Sequence, residues 1–148
     1  MTTSPFLFDT GQVLTASQLN SIGAWQDYTP SHTWSSITTN QARYATINGF
    51  LFVKVRFTLG ATPSGTMTIS LPITAADTVN ISGLCGSGYA YDTSDDESYT
   101  IMMFKSGSNI QAVTGDRDPH ATLTNLVPFT WASGDQCSFL AIMEITPS

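Results

Sequence analysis

The chain has 148 residues, a formal net charge of −6 and only 11% charged residues, a size that fits one domain able to bury its own core. Its five cations are scattered, so it lacks the basic stripe that displaces phosphate counterions, and neither nucleic acid nor an anionic membrane surface is an expected partner. Only two of its eleven acids are glutamate (Glu97 and Glu144), while Thr, Val, Ile, Phe and Tyr are plentiful, a composition that suits pleated strands better than helices.

The chain opens with Phe6 and Phe8 in a lead-in that has no basic start and no long apolar run, so no secretory signal is expected there. No stretch approaches the roughly 20 apolar residues of a membrane-spanning helix. Thr15-Ala16-Ser17-Gln18 fits a capping box, with Leu14 before the cap positioned to staple against Leu19. Leu19 and Ile22 share one helical face, and Gly23 can end the helix after about two turns. A helix that short is not stable alone in water, so it must dock on its own domain or on another chain. A boundary near Pro30 divides an N-terminal arm, residues 1–30, from a β-domain, residues 31–148.

Beyond Pro30 the apolar period becomes two. Residues 43–47 and 50–59 flank Asn48-Gly49, the strongest short-range hairpin signal, because both central residues must take positive φ. In the second of these strands Leu51, Val53, Val55, Phe57 and Leu59 share one face, with Lys54 and Arg56 on the other. Met67, Ile69 and Leu71 alternate with polar neighbours until Pro72. Residues 79–91 read as a strand interrupted by Gly83, Gly86 and Gly88, glycines of the kind that mark bulges or close backbone approach. After a polar loop at 92–97, residues 99–105 and 109–113 form a second hairpin around Ser106-Gly107-Ser108. Residues 114–120 form a further loop, and residues 121–126 a short strand or an edge. Residues 136–145 close the series, with Cys137, Phe139, Ala141, Met143 and Ile145 on one face. Seven or eight strands with turns every 8–12 residues predict an all-β, antiparallel, jelly-roll-like β-sandwich carrying a short N-terminal helical arm.

No catalytic set emerges. The histidines are His32 and His120, and no nucleophile elbow, P-loop or dinucleotide fingerprint occurs. Cys85 and Cys137 lie in apolar or small-residue surroundings and read as buried free thiols, a single disulfide being the alternative. The acidic loop with Asp92, Asp95 and Asp96 offers oxygens of the sort calcium takes, but without EF-hand spacing it reads as a solvated surface. Asp116, Arg117 and His120 form a second polar loop whose charges can pair locally. These six residues are the candidate surface contacts, and no metal or cofactor is expected. The aromatics Trp25, Tyr28, Trp34, Tyr89, Tyr91 and Trp131 suit either sugar stacking or the core.

Several phrases resemble tailed-bacteriophage virion proteins. Gly11-Gln12-Val13-Leu14-Thr15-Ala16-Ser17-Gln18-Leu19-Asn20 is similar to the phrase with which many of them begin. Trp25-Gln26-Asp27-Tyr28-Thr29-Pro30 resembles the phrase that leads into their β-domains. Tyr44-Ala45-Thr46-Ile47-Asn48-Gly49, Ile69-Ser70-Leu71-Pro72 and the run from Pro128 to Asp135 follow in the same order. The resemblance implies a non-enzymatic structural protein on the virion surface, made in the host cytoplasm. It implies a homotrimer that contacts other phage capsid or tail proteins, as a decoration, head-fibre or tail-fibre component, and that meets a host-surface glycan or protein. The arm would then bury Phe6, Phe8, Leu14, Leu19, Ile22 and Trp25 against the particle or neighbouring subunits. One departure is that the β-domain follows the arm directly, without the shaft of a long fibre. The alternatives are a carbohydrate-binding module, predicting glycan affinity through an exposed aromatic, and, more remotely, a cell-surface polysaccharide hydrolase, for which no convincing acid pair is present.

Overall fold

The computed structural model describes residues 11, 13, 15–73, 83–115 and 121–145. A six-residue helix, α1 (Ala16–Ser21), precedes eight strands: β1 (Gln26–Asp27), β2 (Ile37–Ile47), β3 (Phe50–Leu59), β4 (Thr68–Ser70), β5 (Leu84–Asp92), β6 (Glu97–Ser106), β7 (Asn109–Thr114) and β8 (Gln136–Glu144). All pairings are antiparallel, and the strands form one continuous sheet in the order β1-β2-β3-β8-β5-β6-β7-β4.

The sheet curls because its far edge meets the chain again. Residues 31–33, between β1 and β2, run beside β4. The Ser70 amide donates to Ser31 O at 2.8 Å and the Thr33 amide to Thr68 O at 3.2 Å. Thr33 adds a hydroxyl bond to Thr66 O at 2.6 Å and accepts from the Thr68 amide at 2.9 Å. These bonds occupy groups that an edge strand would otherwise leave open.

Alternation decides which side chains the curl encloses. Leu51, Val53, Val55, Phe57 and Leu59 of β3 are buried, as are Cys137, Phe139, Ala141 and Met143 of β8 and the adjoining Ile145. Ile101, Met103, Ile110 and Ala112 join them from β6 and β7. Trp34 and Trp131 fill the interior edge-to-face, with centroids 5.1 Å apart. Each indole N–H is satisfied, Trp34 Nε1 by Gly65 O and Trp131 Nε1 by Val127 O, both at 3.0 Å. The ring bodies supply apolar volume while their one polar atom costs little.

The Asn48-Gly49 hairpin forms with both residues at positive φ, 48° and 82°. Gly86 and Gly88 sit where β5 pairs with β8, opposite Ala141 and Phe139. A Cβ on Gly88 would stand 2.1 Å from Ser138 O, and one on Gly86 2.1 Å from Leu140 O. The two glycines therefore permit the close strand approach that their placement in the sequence implies.

Several elements differ from the sequence reading, β1 among them, since Gln26 and Asp27 fall in the expected arm yet pair with Tyr44 and Arg43 of β2. β2 begins at Ile37, six residues before the expected start, and a bulge between Thr39 and Gln41 interrupts its register with β3. Polar residues at 38–41 hide that portion from a periodicity argument. Residues 121–124 form isolated bridges to Val113 and Thr66 rather than a full strand.

Candidate functional site

The turn joining β5 to β6 is built by its own carboxylates. Asp92 is buried, and its Oδ1 accepts from the Ser94 hydroxyl at 2.7 Å, the Ser94 amide at 2.9 Å and, more weakly, the Asp95 amide at 3.4 Å. The Ser94 hydroxyl, then these amides, hold its carboxyl below the usual value against the opposing effect of burial. Asp92, expected among the surface contacts, is thus an internal turn brace. Asp95 and Asp96 are exposed. The Tyr91 hydroxyl donates to Asp96 Oδ1, and that of Tyr99 to Glu97 Oε2, both at 2.6 Å, and these bonds raise both phenols above their usual value. Asp116, Arg117 and His120 lie outside the described residues. Among the described residues, no group of three or more His, Cys, Asp or Glu is arranged to hold a metal ion.

Sequence reading missed Asp135, which completes this corner from the loop before β8. Its Oδ1 accepts from the Thr93 amide and hydroxyl, and its Oδ2 from the Ala132 amide at 2.7 Å. Gly134-Asp135 ahead of an apolar strand is a turn signal that could have marked it.

Of the expected anchor residues, Ile22 and Trp25 are exposed. Leu19 lies within α1, and Phe6, Phe8 and Leu14 fall outside the described residues. Gly23, at φ 70°, approaches β2 so closely that a Cβ there would lie 2.7 Å from Ile47 Cδ1. The chain leaving α1 therefore runs against the outward side of β2.

That outward side carries exposed apolar residues among charged and polar ones. Register places Phe52 beside Ala45 and Ile142, and Lys54 beside Arg43 and Leu140; Leu140 in turn faces Ser87, which faces Met102. Phe50, Leu84, Leu140 and Ile142 are 43–53% exposed. Single exposed apolar residues are ordinary, whereas a contiguous set is the usual mark of an interaction surface.

A separate cleft of about 450 Å³ opens at the β2 bulge, lined by residues 27–30 and 39–42. Tyr28 enters it half-buried, its ring edge-on to Tyr44 at 5.9 Å. Its hydroxyl has no hydrogen-bond partner among the described residues, and burial raises its pKa well above the phenol range. Nearby, Arg43 Nε lies 2.9 Å from Asp27 Oδ1, an ion pair without a hydrogen bond from that nitrogen. The bulged Asn40 accepts from the Thr58 hydroxyl at 2.8 Å. An aromatic wall with amides, hydroxyls and a carboxylate is chemistry that suits a polar, hydroxylated ligand.

The remaining aromatics divide. Trp34 and Trp131 are core, Tyr91 and Tyr99 are engaged by the acidic turn, and Trp25 and Tyr89 are exposed. Cys85 and Cys137 are both free thiols. Comparison with protein-family models, curated proteins and solved structures finds no match to this chain.

Proposed function

We propose that this chain is a non-enzymatic structural protein of a tailed-bacteriophage particle. In this reading the β-domain is a jelly-roll-like knob that associates as a homotrimer. Residues 1–30 anchor it to capsid or tail proteins, as a decoration, head-fibre or tail-fibre component displayed on the virion surface. The observation that carries the reading is the ordered set of virion-like phrases spanning nearly the whole sequence. The structure lends support through the exposed Ile22 and Trp25 beside a two-residue first strand, an arrangement suited to an arm that finishes its packing on another chain. The exposed Asp95 and Asp96 are then the residues offered to a host surface.

Gold-labelled antibody on intact particles tests the placement. Label over heads or at tails supports it, and particles without label overturn it. A chain lacking residues 1–24 is expected to keep a β-type circular dichroism spectrum but fail to join particles; normal incorporation would remove the anchoring role.

The cleft at Tyr28 favours a second reading, a carbohydrate-binding module. It predicts glycan-array binding that weakens in Gln41→Ala, which removes an exposed amide from the cleft lining. A silent array counts against it.

A further inference from the structure

The cleft at the β2 bulge exists because the chain changes partners there. Through Tyr28 it follows β2, the Tyr28 amide donating to Ala42 O at 3.0 Å, and from Ser31 it follows β4. Pro30, between the two, is buried and has no N–H with which to continue a ladder. On the facing wall the register of β2 with β3 steps from Thr39 to Gln41 past Asn40, so the peptide groups of Asn40 stand outside that ladder. The resulting volume, about 450 Å³, falls within the roughly 300–1,000 Å³ of small-molecule sites.

The lining has a definite chemical character. The hydroxyls of Thr29 and Thr39 and the amide of Gln41 belong to exposed residues, and each both donates and accepts. Among the residues lining the cleft, Asp27 alone carries a formal charge, and its Oδ1 lies 2.9 Å from Arg43 Nε. Arg43 is outside the lining, its guanidinium held between that carboxylate and Trp25 O. An anionic group offers acceptors only and would meet the Asp27 carboxylate with no lining cation to offset it. A ligand hydroxyl also donates and accepts, so it matches Thr29, Thr39 and Gln41 in either sense. Tyr28 and Pro30 supply the apolar part of the wall, which suits the C–H faces of a sugar ring. We infer that the cleft takes a neutral sugar unit and excludes acidic ones such as uronates and sialates. The inference rests on the carbohydrate reading above and names its ligand class. Recognition by neutral groups carries little screened Coulomb energy, so the affinity holds across ionic strengths.

The test is heteronuclear NMR on the isotope-labelled full chain. It is titrated with lactose, maltotriose and chitobiose as neutral probes and with sialyllactose and trigalacturonate as acidic ones. At least one neutral probe is expected to shift the amides lining the cleft, within residues 27–29 and 39–42, and the acidic probes are expected to leave them in place at the same concentrations. Raising the salt should change the neutral affinity by less than about twofold. Gln41→Ala is expected to weaken it at least about threefold, the effect of one neutral hydrogen bond. Asp27→Asn removes the lining charge and releases Arg43, so it should narrow the gap between acidic and neutral probes, whereas a merely structural role for Asp27 would weaken both alike. Acidic probes that bind as well as neutral ones overturn the inference and leave the carbohydrate reading standing. A gap that Asp27→Asn leaves unchanged overturns the charge-based exclusion, and shifts confined to other residues overturn the site. Silence from every probe overturns the inference and the carbohydrate reading together, and particle labelling judges the virion reading independently of all these results.

Discussion

Asp135 binds Thr93 twice, accepting its amide at 3.0 Å and its hydroxyl at 2.8 Å across 42 residues of sequence. The bonds pin the loop entering β8 to the turn leaving β5, and a third, from the Ala132 amide, holds the loop itself. Asp135 is buried, while the donors it holds belong to exposed Thr93 and Ala132. Asp135→Ala is expected to lower the unfolding free energy by about 2 kcal/mol through the loss of three hydrogen bonds to a charged acceptor, offset in part by water. Asp135→Asn, which retains one acceptor, should lose less. Urea denaturation of the two variants measures the difference; equal stability of Asp135→Ala and wild type would deny the carboxylate this role.

Acid should act partly through Asp92. Its carboxyl is held below the usual value in the fold, first by the Ser94 hydroxyl, so the unfolded chain binds the proton more readily than the folded one. The contribution is therefore complete above the ordinary value of 3.8 and is lost as pH falls through the folded pKa. Melting temperature should drop below about pH 4, and the drop should be shallower in Asp92→Asn. Parallel melting curves for both proteins between pH 2 and pH 5 (roughly the titration range of carboxylates) would exclude Asp92 as a contributor.

Gly88 should tolerate no side chain. Its virtual Cβ meets the backbone carbonyl of Ser138 as well as the Phe139 side chain, so no rotamer change can make room. Gly88→Ala is expected to cost about 3 kcal/mol, at the upper end of ordinary overpacking. Gly107→Ala gives a useful contrast, because open space surrounds its Cβ position and only its φ of 59° opposes the change. Thermal melts should rank the two variants, Gly88→Ala well below Gly107→Ala.

The thiols should be poor nucleophiles. Burial pushes Cys85 up to about 11, with the charge of Lys105 opposing only in part, and raises the wholly buried Cys137 further. Since the thiolate is the reactive form, a disulfide-exchange reagent at pH 8 should titrate Cys85 slowly and Cys137 only after denaturation. Rapid reaction of two thiols in the native protein would contradict this packing.

The inward faces were legible in the sequence because alternation is a local property. Leu51 through Leu59 and Cys137 through Met143 announce their buried sides without knowledge of any partner. The Asn48-Gly49 turn was equally readable, since its backbone requires residues that accept positive φ. The order of strands was not legible, because it depends on contacts such as β3 with β8 that lie some 80 residues apart, as Arg56 and Gln136 illustrate. For the same reason the outward pairing of apolar residues was hidden. Phe52 and Ile142 come from separate strands and become neighbours only once register is known. Asp92 was misread because a run of acids resembles a solvated loop, whereas the hydroxyl and amide two residues on turn its first carboxylate inward.

The placement of residues 26–33 has a mechanical consequence. Within eight residues the chain lies along β2 as β1 and then along β4 through residues 31–33, so it is laced to both margins of the curled sheet. A tug on the N-terminus first meets the short β1 pairing, which can peel bond by bond. It then meets residues 31–33, where several backbone and hydroxyl bonds share the load and where Trp34 plugs the core immediately behind. Tension delivered through the residues before β1 is thereby arrested at Trp34, so the segment ahead of it can be strained while the sheet behind it keeps its shape.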